Sequence, residues 1–223
     1  MRSAGTAFFF LVAASYGQNL SAVLARMDAA AVGFRSIAAD MTRLTFTAVI
    51  NDSSEESGTM RLLRAKPGDV RVRIDLIRPD SKTVAFSGRK AEIYNPKIQT
   101  VEEYDLGKHR NLIDQFLLLG FGTTGKEISH AYTLRYTGEE AVAGVNSSHL
   151  ELTPQSTEVS QHFNRIELWI ADPEGYAVRQ KLHAPSGNHT TITYTAVKLN
   201  GDMNPDQLAL KLPRNVKRIF PGK

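Results

Sequence analysis

The stretch DVRVRIDLIRPD, residues 69–80, sorts its side chains into two sets: Val70, Val72, Ile74 and Leu76 alternate with Arg71, Arg73 and Asp75. Successive side chains of a strand point to opposite sides of its sheet, so the pattern predicts a strand with one apolar and one charged face. Pro79 ends it, because proline cannot donate to a strand ladder. The apolar face must be covered. In an ordinary domain the cover is a packed core; in a binding protein it is a guest.

The same reading extends in both directions. Before the stretch, MTRLTFTAVI (41–50) and GTMRLLRA (58–65) read as strands, with NDSSEESG and KPGD as the polar turns. After it, KTVAF, the turn SGRK and AEIYN continue a meander. YTLRYTG, HLELTP, NRIELWIAD, YAVRQKLHA, TTITYTAVKLN and DQLALKLP repeat the pattern in the second half. Leu20, Val23, Leu24, Met27, Ala31 and Phe34 recur at helical spacing and predict an amphipathic helix ending near Gly33 to Ser36. Residues 109–119 predict a second, short helix with Leu112, Ile113, Phe116, Leu117 and Leu119 on one side, ended by GFGTTG. Short sequential strands joined by turn residues predict a mainly β chain with some α, built on one antiparallel sheet of about 10–11 strands. A sheet of that size must curl.

The 223 residues are 42% hydrophobic and 22% charged, the composition of a globular protein with one large domain or two small ones. The formal charge of +4 comes from basic residues scattered through the strands, and with no aromatic-plus-basic motif nucleic-acid binding is not expected. The absence of cysteine removes disulfides, thiol nucleophiles and thiolate metal sites. At the start, Arg2 precedes AGTAFFFLVAAS, an apolar run of signal-peptide length followed by small residues. A cleavable export signal over residues 1–17 is therefore expected, cut after Ser15 or Gly17, with residues 18–223 as the exported domain; the alternative is a buried N-terminal helix. Without a cysteine at the cut no lipid anchor is expected on this chain, and the mature protein is expected outside the cytoplasm.

Each catalytic motif has a plainer reading. GFGTTGKE satisfies G-x-x-x-x-G-K and G-x-G-x-x-G, but Glu127 stands where a phosphate loop needs a hydroxyl, and a helix rather than a strand precedes it. Asp172 in LWIAD could pose as a magnesium ligand, yet Pro173 and Gly175 make it a turn. His109, His130, His149, His162, His183 and His189 show no H-x-x-x-H or H-x-x-E-H spacing, so no metal and no cofactor are expected. No G-x-S-x-G elbow is present. The pairs Glu55-Glu56, Glu102-Glu103 and Glu139-Glu140 are adjacent in sequence, so on strands they face opposite ways and cannot flank one substrate atom. Asn51, Asn146 and Asn188 head N-x-S/T triplets of the frequency chance provides. No enzyme is expected. What remains is the apolar face of a curled sheet.

The order of motifs resembles the outer-membrane lipoprotein carrier (LolA) family over nearly the whole exported chain. FRSIAADMTRLTFT is similar to that family's opening strand, and SGTMRLLRAKPGDVRVRID to its glycine-strand-R-P-G/N-strand signature. RPDSKTVAFSGRKAEIYNPKIQTVEEYD resembles its P-x-x-x-x-V-x-D-G-x-x-x-x-Y-x-P block, and the chain from ELTP to RNVKRI follows its closing hairpins. Departures are Lys66 where the classical carriers often have the arginine that holds the lid shut through backbone carbonyls, Ser87-Gly88 for D-G, and Asn215 for the final glycine. Lysine offers a point charge without arginine's planar fork, so a lock at Lys66 is expected to be looser.

The resemblance implies a half-open, incomplete β-barrel whose concave side is covered by a helical lid. It implies an acyl-chain cavity lined by Phe46, Leu62, Ile74, Leu76, Val84, Phe86, Ile93, Leu168 and Ile170, and a lid of Leu112, Ile113, Phe116 and Leu117 with Lys66. The implied function is a periplasmic carrier that shuttles lipoprotein acyl chains, or other lipids, from the inner to the outer membrane. Its implied partners are an inner-membrane ABC-type releasing complex and an outer-membrane receptor, with transient membrane contact by a monomer. The competing expectation is a non-shuttling sensor or scaffold of the envelope that binds lipid or peptide in the same concavity.

Overall fold

The structure is a computed structural model that describes residues 10–66 and 68–221. Residues 1–9, with the first part of the expected export signal, lie outside the described residues. Helix α1 (Phe10–Val32) carries Val23, Met27 and Ala31 at intervals of four, all buried against the sheet. Among the described residues, no helix is long and apolar enough to cross a membrane.

The first meander follows: β1 (Ser36–Thr47), β2 (Asp52–Lys66), β3 (Asp69–Arg78), β4 (Lys82–Ser87), β5 (Lys90–Asn95) and β6 (Thr100–Asp105). Helices α2 (Arg110–Leu118) and α3 (Gly125–Ala131) interrupt it. The second meander runs through β7 (Tyr132–Val142), β8 (Val145–Pro154), the one-turn helix α4 (Thr157–Ser160), β9 (Arg165–Ala171), β10 (Ala177–His183) and β11 (His189–Leu199). A three-residue strand, β12 (Lys217–Ile219), comes last. All twelve join one sheet in the order β12-β6-β5-β4-β3-β2-β1-β11-β10-β9-β8-β7. β1 is the seam, paired to β2 on one side and β11 on the other, so the two meanders become one curved, open surface.

The register sets one continuous inner face. Ile37 lies opposite Leu62, Leu62 opposite Val72, and Val72 opposite Phe86. Leu168 lies between Leu150 and Gln180. The outer face of β2 and β3 carries Arg61, Arg71, Arg73 and Asp75, as the alternation in residues 69–80 requires.

Three local expectations are corrected. NDSSEESG is mostly strand: residues 52–57 extend β2 along the lower half of β1, and the turn is Ala48–Asn51 with Asn51 in the left-handed region. DQLALKLP forms no strand: the 3-10 turn Pro205–Gln207 leads into an irregular strap with one fully buried residue, Leu208. Residues after GFGTT form α3 rather than a loop, started by a reciprocal capping box between Thr124 and Glu127.

Candidate functional site

The concave side of the sheet is occupied unevenly. Over β7–β10 it is filled: Val23 and Met27 of α1, Ile128 of α3, and Leu119 and Phe121 from the loop between α2 and α3 pack with Leu150, Leu152, Ile166, Leu168 and Ile170. Over β3–β5 it is not. Ile74, Val84, Phe86 and Ile93 are only half-buried, and Val84 and Ile93, which pair across β4–β5, stand outside the main core cluster. Helix α2 is tied to the rim of this open part by Arg110 and carries half-buried Leu112, Ile113, Phe116 and Leu117, of which Leu112, Phe116 and Leu117 pack against the main core. Its Phe116 meets Phe163 edge-on at 5.1 Å.

The residues expected to line a cavity therefore divide. Leu62, Leu76, Leu168 and Ile170 are on the inner face but completely buried among the protein's own side chains. Ile74, Val84, Phe86 and Ile93 are on the same face and partly uncovered. Phe46 is on the other side: the inward residues of β1 are Ile37, Ala39 and Met41, and Phe46, opposite Ser53, stacks on His189 at 4.8 Å on the convex face.

Lys66 is exposed at the β2–β3 turn, beside Asp69 in register. The cations that fasten the lid are two arginines that the sequence pattern does not single out. Arg64 shares the inward parity of Met60 and Leu62; its Nη2 donates to the carbonyl of Gly122 at 2.7 Å, and its guanidinium sits 5.5 Å from the Phe34 ring centre. Arg110, at the first turn of α2, pairs with Asp114 at 2.7 Å and donates to the carbonyls of Val70, at 2.5 Å, and Gly88. Strand parity was the signal for Arg64, and the i, i+4 pair for Arg110.

The far end of α2 is pinned differently. Buried Gln180 donates its side-chain amide to the carbonyl of Leu119, and its Oε1 accepts from the Tyr194 hydroxyl at 2.9 Å. Complete burial drives the Tyr194 phenol far above its ordinary pKa, which keeps it a neutral donor. Gly122 adopts φ of 76°, and a Cβ there would lie 2.4 Å from the Phe34 ring. A cavity of about 290 Å³ remains behind α2 and α3, lined by Arg64, Gln115, Leu118, Ile128 and Tyr132 among others.

The glycine-rich loop is not built as a phosphate cradle. Its Thr124 N–H donates to Glu127 and its Gly125 N–H to Asp28, both at 2.8 Å, so carboxylates already hold the donors a phosphate needs. Three of the six histidines scattered along the sequence come together on the convex face instead. His149 and His183 each bond one oxygen of Glu167, at 2.8 and 2.6 Å, and His183 lies 5.6 Å from His189. Among the described residues, no group of three or more such side chains is arranged to hold a metal.

Solved structures share this architecture. The crystal structure of MucB aligns with a TM-score of 0.53 and 20% identity, covering 87% of this chain. The chain spans only 63% of the MucB chain. An uncharacterized conserved protein from Thermus thermophilus gives 0.55 at 12% identity, over 91% of this chain and 99% of that one. The Mycobacterium tuberculosis lipoprotein LppX gives 0.51 at 15%, over 84% and 98%. No curated protein sequence matches. At such identities the likeness is one of fold. Residues 33–211, from the end of α1 through the whole of both meanders, match the family described as outer membrane lipoprotein carrier protein LolA, and the chain belongs to that family.

Proposed function

We propose that this protein is a carrier of acyl chains in the bacterial envelope, taking them between α2 and the inner face of β3–β5. In this reading residues 1–17 direct export to the periplasm. The cargo is the acyl portion of lipoproteins, received from an ABC-type releasing complex at the inner membrane and passed to a receptor at the outer one. The observation that carries the proposal is the incomplete filling of the hollow: Ile74, Val84, Phe86 and Ile93 on the sheet and Ile113 and Phe116 on the lid stay half-buried.

Magnitudes favour exchange over permanent capture. Ten methylenes moved out of water gain about 8 kcal/mol. Opening the lid breaks the two bonds from Arg110 to the carbonyls of Val70 and Gly88, each worth about 1.5–3 kcal/mol as charge-assisted hydrogen bonds. Ordering the cargo costs more again. The sum lies near balance, so cargo can be taken and surrendered. The cavity of about 290 Å³ behind α2 and α3 has no β3–β5 residue in its lining, so an acyl chain held against Ile74, Val84 and Ile93 requires α2 to move.

The test is Val84→Glu and Ile93→Glu. Both side chains are half-exposed, so the thermal midpoint should stay close to that of the unaltered protein while binding of a fluorescent fatty acid falls more than tenfold. Lipid extraction after native purification should release acyl chains from the unaltered protein alone. Undiminished probe binding by both variants would overturn the proposal. Leu76→Glu is a poor test, because Leu76 is 2% exposed and a buried carboxylate there is expected to destabilise the fold whatever the site binds.

A further inference from the structure

The chain from Pro205 to Pro221 leaves the seam of the sheet and straps its convex side. Arg73 donates to the carbonyl of Ala209 at 2.9 Å, Leu208 is buried, the Lys217 N–H donates to Gln99, and β12 then runs parallel to β6. Leu208, Leu210, Leu212 and Val216 are buried or half-buried, whereas Lys211, Arg214, Lys217 and Arg218 are exposed. Arg218 pairs with Glu103; Lys211, Arg214 and Lys217 have no carboxylate partner among the described residues. Of the sheet cations nearby, Arg71 is paired with Asp69 and Arg89 with Asp105, while Arg61 and Arg73 share Asp75. The convex side therefore carries surplus positive charge, and the strap adds three cations to it. Immediately after it, Ile219 and Phe220 are 37% and 44% exposed.

We propose that this strap is a docking surface for a bilayer rich in anionic phospholipid. Three cations without a carboxylate partner, spaced three residues apart along the strap with a turn at 214–215 among them, make an exposed positive patch that a fluid leaflet of anionic headgroups can match by lateral rearrangement. The apolar pair at the end of the patch suits the boundary between headgroups and acyl chains. A nucleic acid fits less well, since no second exposed aromatic on the strap makes a stacking platform. The strap ends at the β6 edge, and β6 neighbours β5, whose Ile93 lines the open part of the hollow.

The inference extends the carrier reading, but its test uses no acyl probe, so either can fail alone. The full chain is sedimented with phosphatidylcholine vesicles that contain or lack phosphatidylglycerol, at low and at high salt. Binding is expected only to the anionic vesicles at low salt. Each surface cation contributes about fivefold, so K211E, R214E and K217E combined should weaken partitioning about a hundredfold or more. Lys211→Gln, Arg214→Gln and Lys217→Gln together should give most of that loss with an unchanged thermal midpoint. Lys198→Glu, elsewhere on the sheet, should leave binding intact. Equal binding to both vesicle types, undiminished binding by the triple variants, or binding to DNA in place of vesicles would each overturn the assignment.

Discussion

At the scale of single residues, the convex face holds the most constrained chemistry. Burial lowers the pKa of His183 and of His189 below the 6.5 of a free imidazole. Burial opposes ionisation of Glu167, yet the hydrogen bond from His183 and the charges of both histidines outweigh it and hold the carboxyl below 4.5. A depressed histidine means that the unfolded chain takes up protons first. The stability carried by neutral His183 and His189 is complete above pH 6.5 and is lost as pH falls below it; the contribution of Glu167 is lost in a separate step, below 4.5. The thermal midpoint should accordingly be flat from about pH 8 to 7 and decline from about 6.5 towards 5. In calorimetric scans, His183→Gln, which keeps a donor to Glu167, should flatten part of that decline; an unaltered slope would show that His183 does not govern it. Phe46 belongs to this scale too. In residues 41–50 hydropathy points to the face of Leu44 and Phe46, because the lower half of β1 lies beyond the core and turns Arg43 inward against Glu56. No count of apolar residues reveals that His189, far along the chain, covers the Phe46 ring.

At the scale of elements, α2 was legible and α3 was not. Nine residues with apolar positions at helical spacing announce α2. The seven residues of α3 are too few for a period, and their only signal is the T-x-x-E capping box of Thr124 and Glu127, hidden inside a run that also mimics a phosphate loop. Strand β2 was half legible, since its polar stretch buries nothing and hydropathy cannot tell a solvated strand from a turn. The latch yields a prediction here. Arg110→Ala leaves Asp114, 15% exposed, without its cation and frees two carbonyls of the sheet. Losing about 1.5–3 kcal/mol locally, amides of residues 110–118 should exchange roughly ten to a hundred times faster, while β8–β10 keep their protection. Hydrogen exchange read by mass spectrometry decides the matter, and equal loss of protection across the sheet would mean global destabilisation instead.

For the whole molecule, alternation and turn residues were enough to foresee a large curled antiparallel sheet, because both depend on neighbours in sequence; the helical cover followed only from the family resemblance. The seam at β1 was not foreseeable, since it joins residues 36–47 to 189–199 and its register is fixed only by packing. The strap was hidden for the same reason: Leu208, like Val101 and Ala85 of the sheet, is buried outside the main core. Removing residues 205–221 should uncover the convex surface beneath the strap and leave β6 as a bare edge. Light scattering after size exclusion should then show oligomers and higher aggregates where the intact chain elutes as a single small species; an unchanged profile would mean that the strap does not protect this edge.

The two ends of α2 are fastened unlike one another. The Leu119 end is sealed by Gln180, Tyr194 and Phe121 within the dry core, whereas the Arg110 end is tied to the rim by guanidinium bonds that water can replace one for one. A cover attached in this way behaves as a trapdoor. In the proposed carrier it pivots about Leu119 and gapes above the β3–β5 rim, so that a tail would enter end-on from that side and withdraw along the same path.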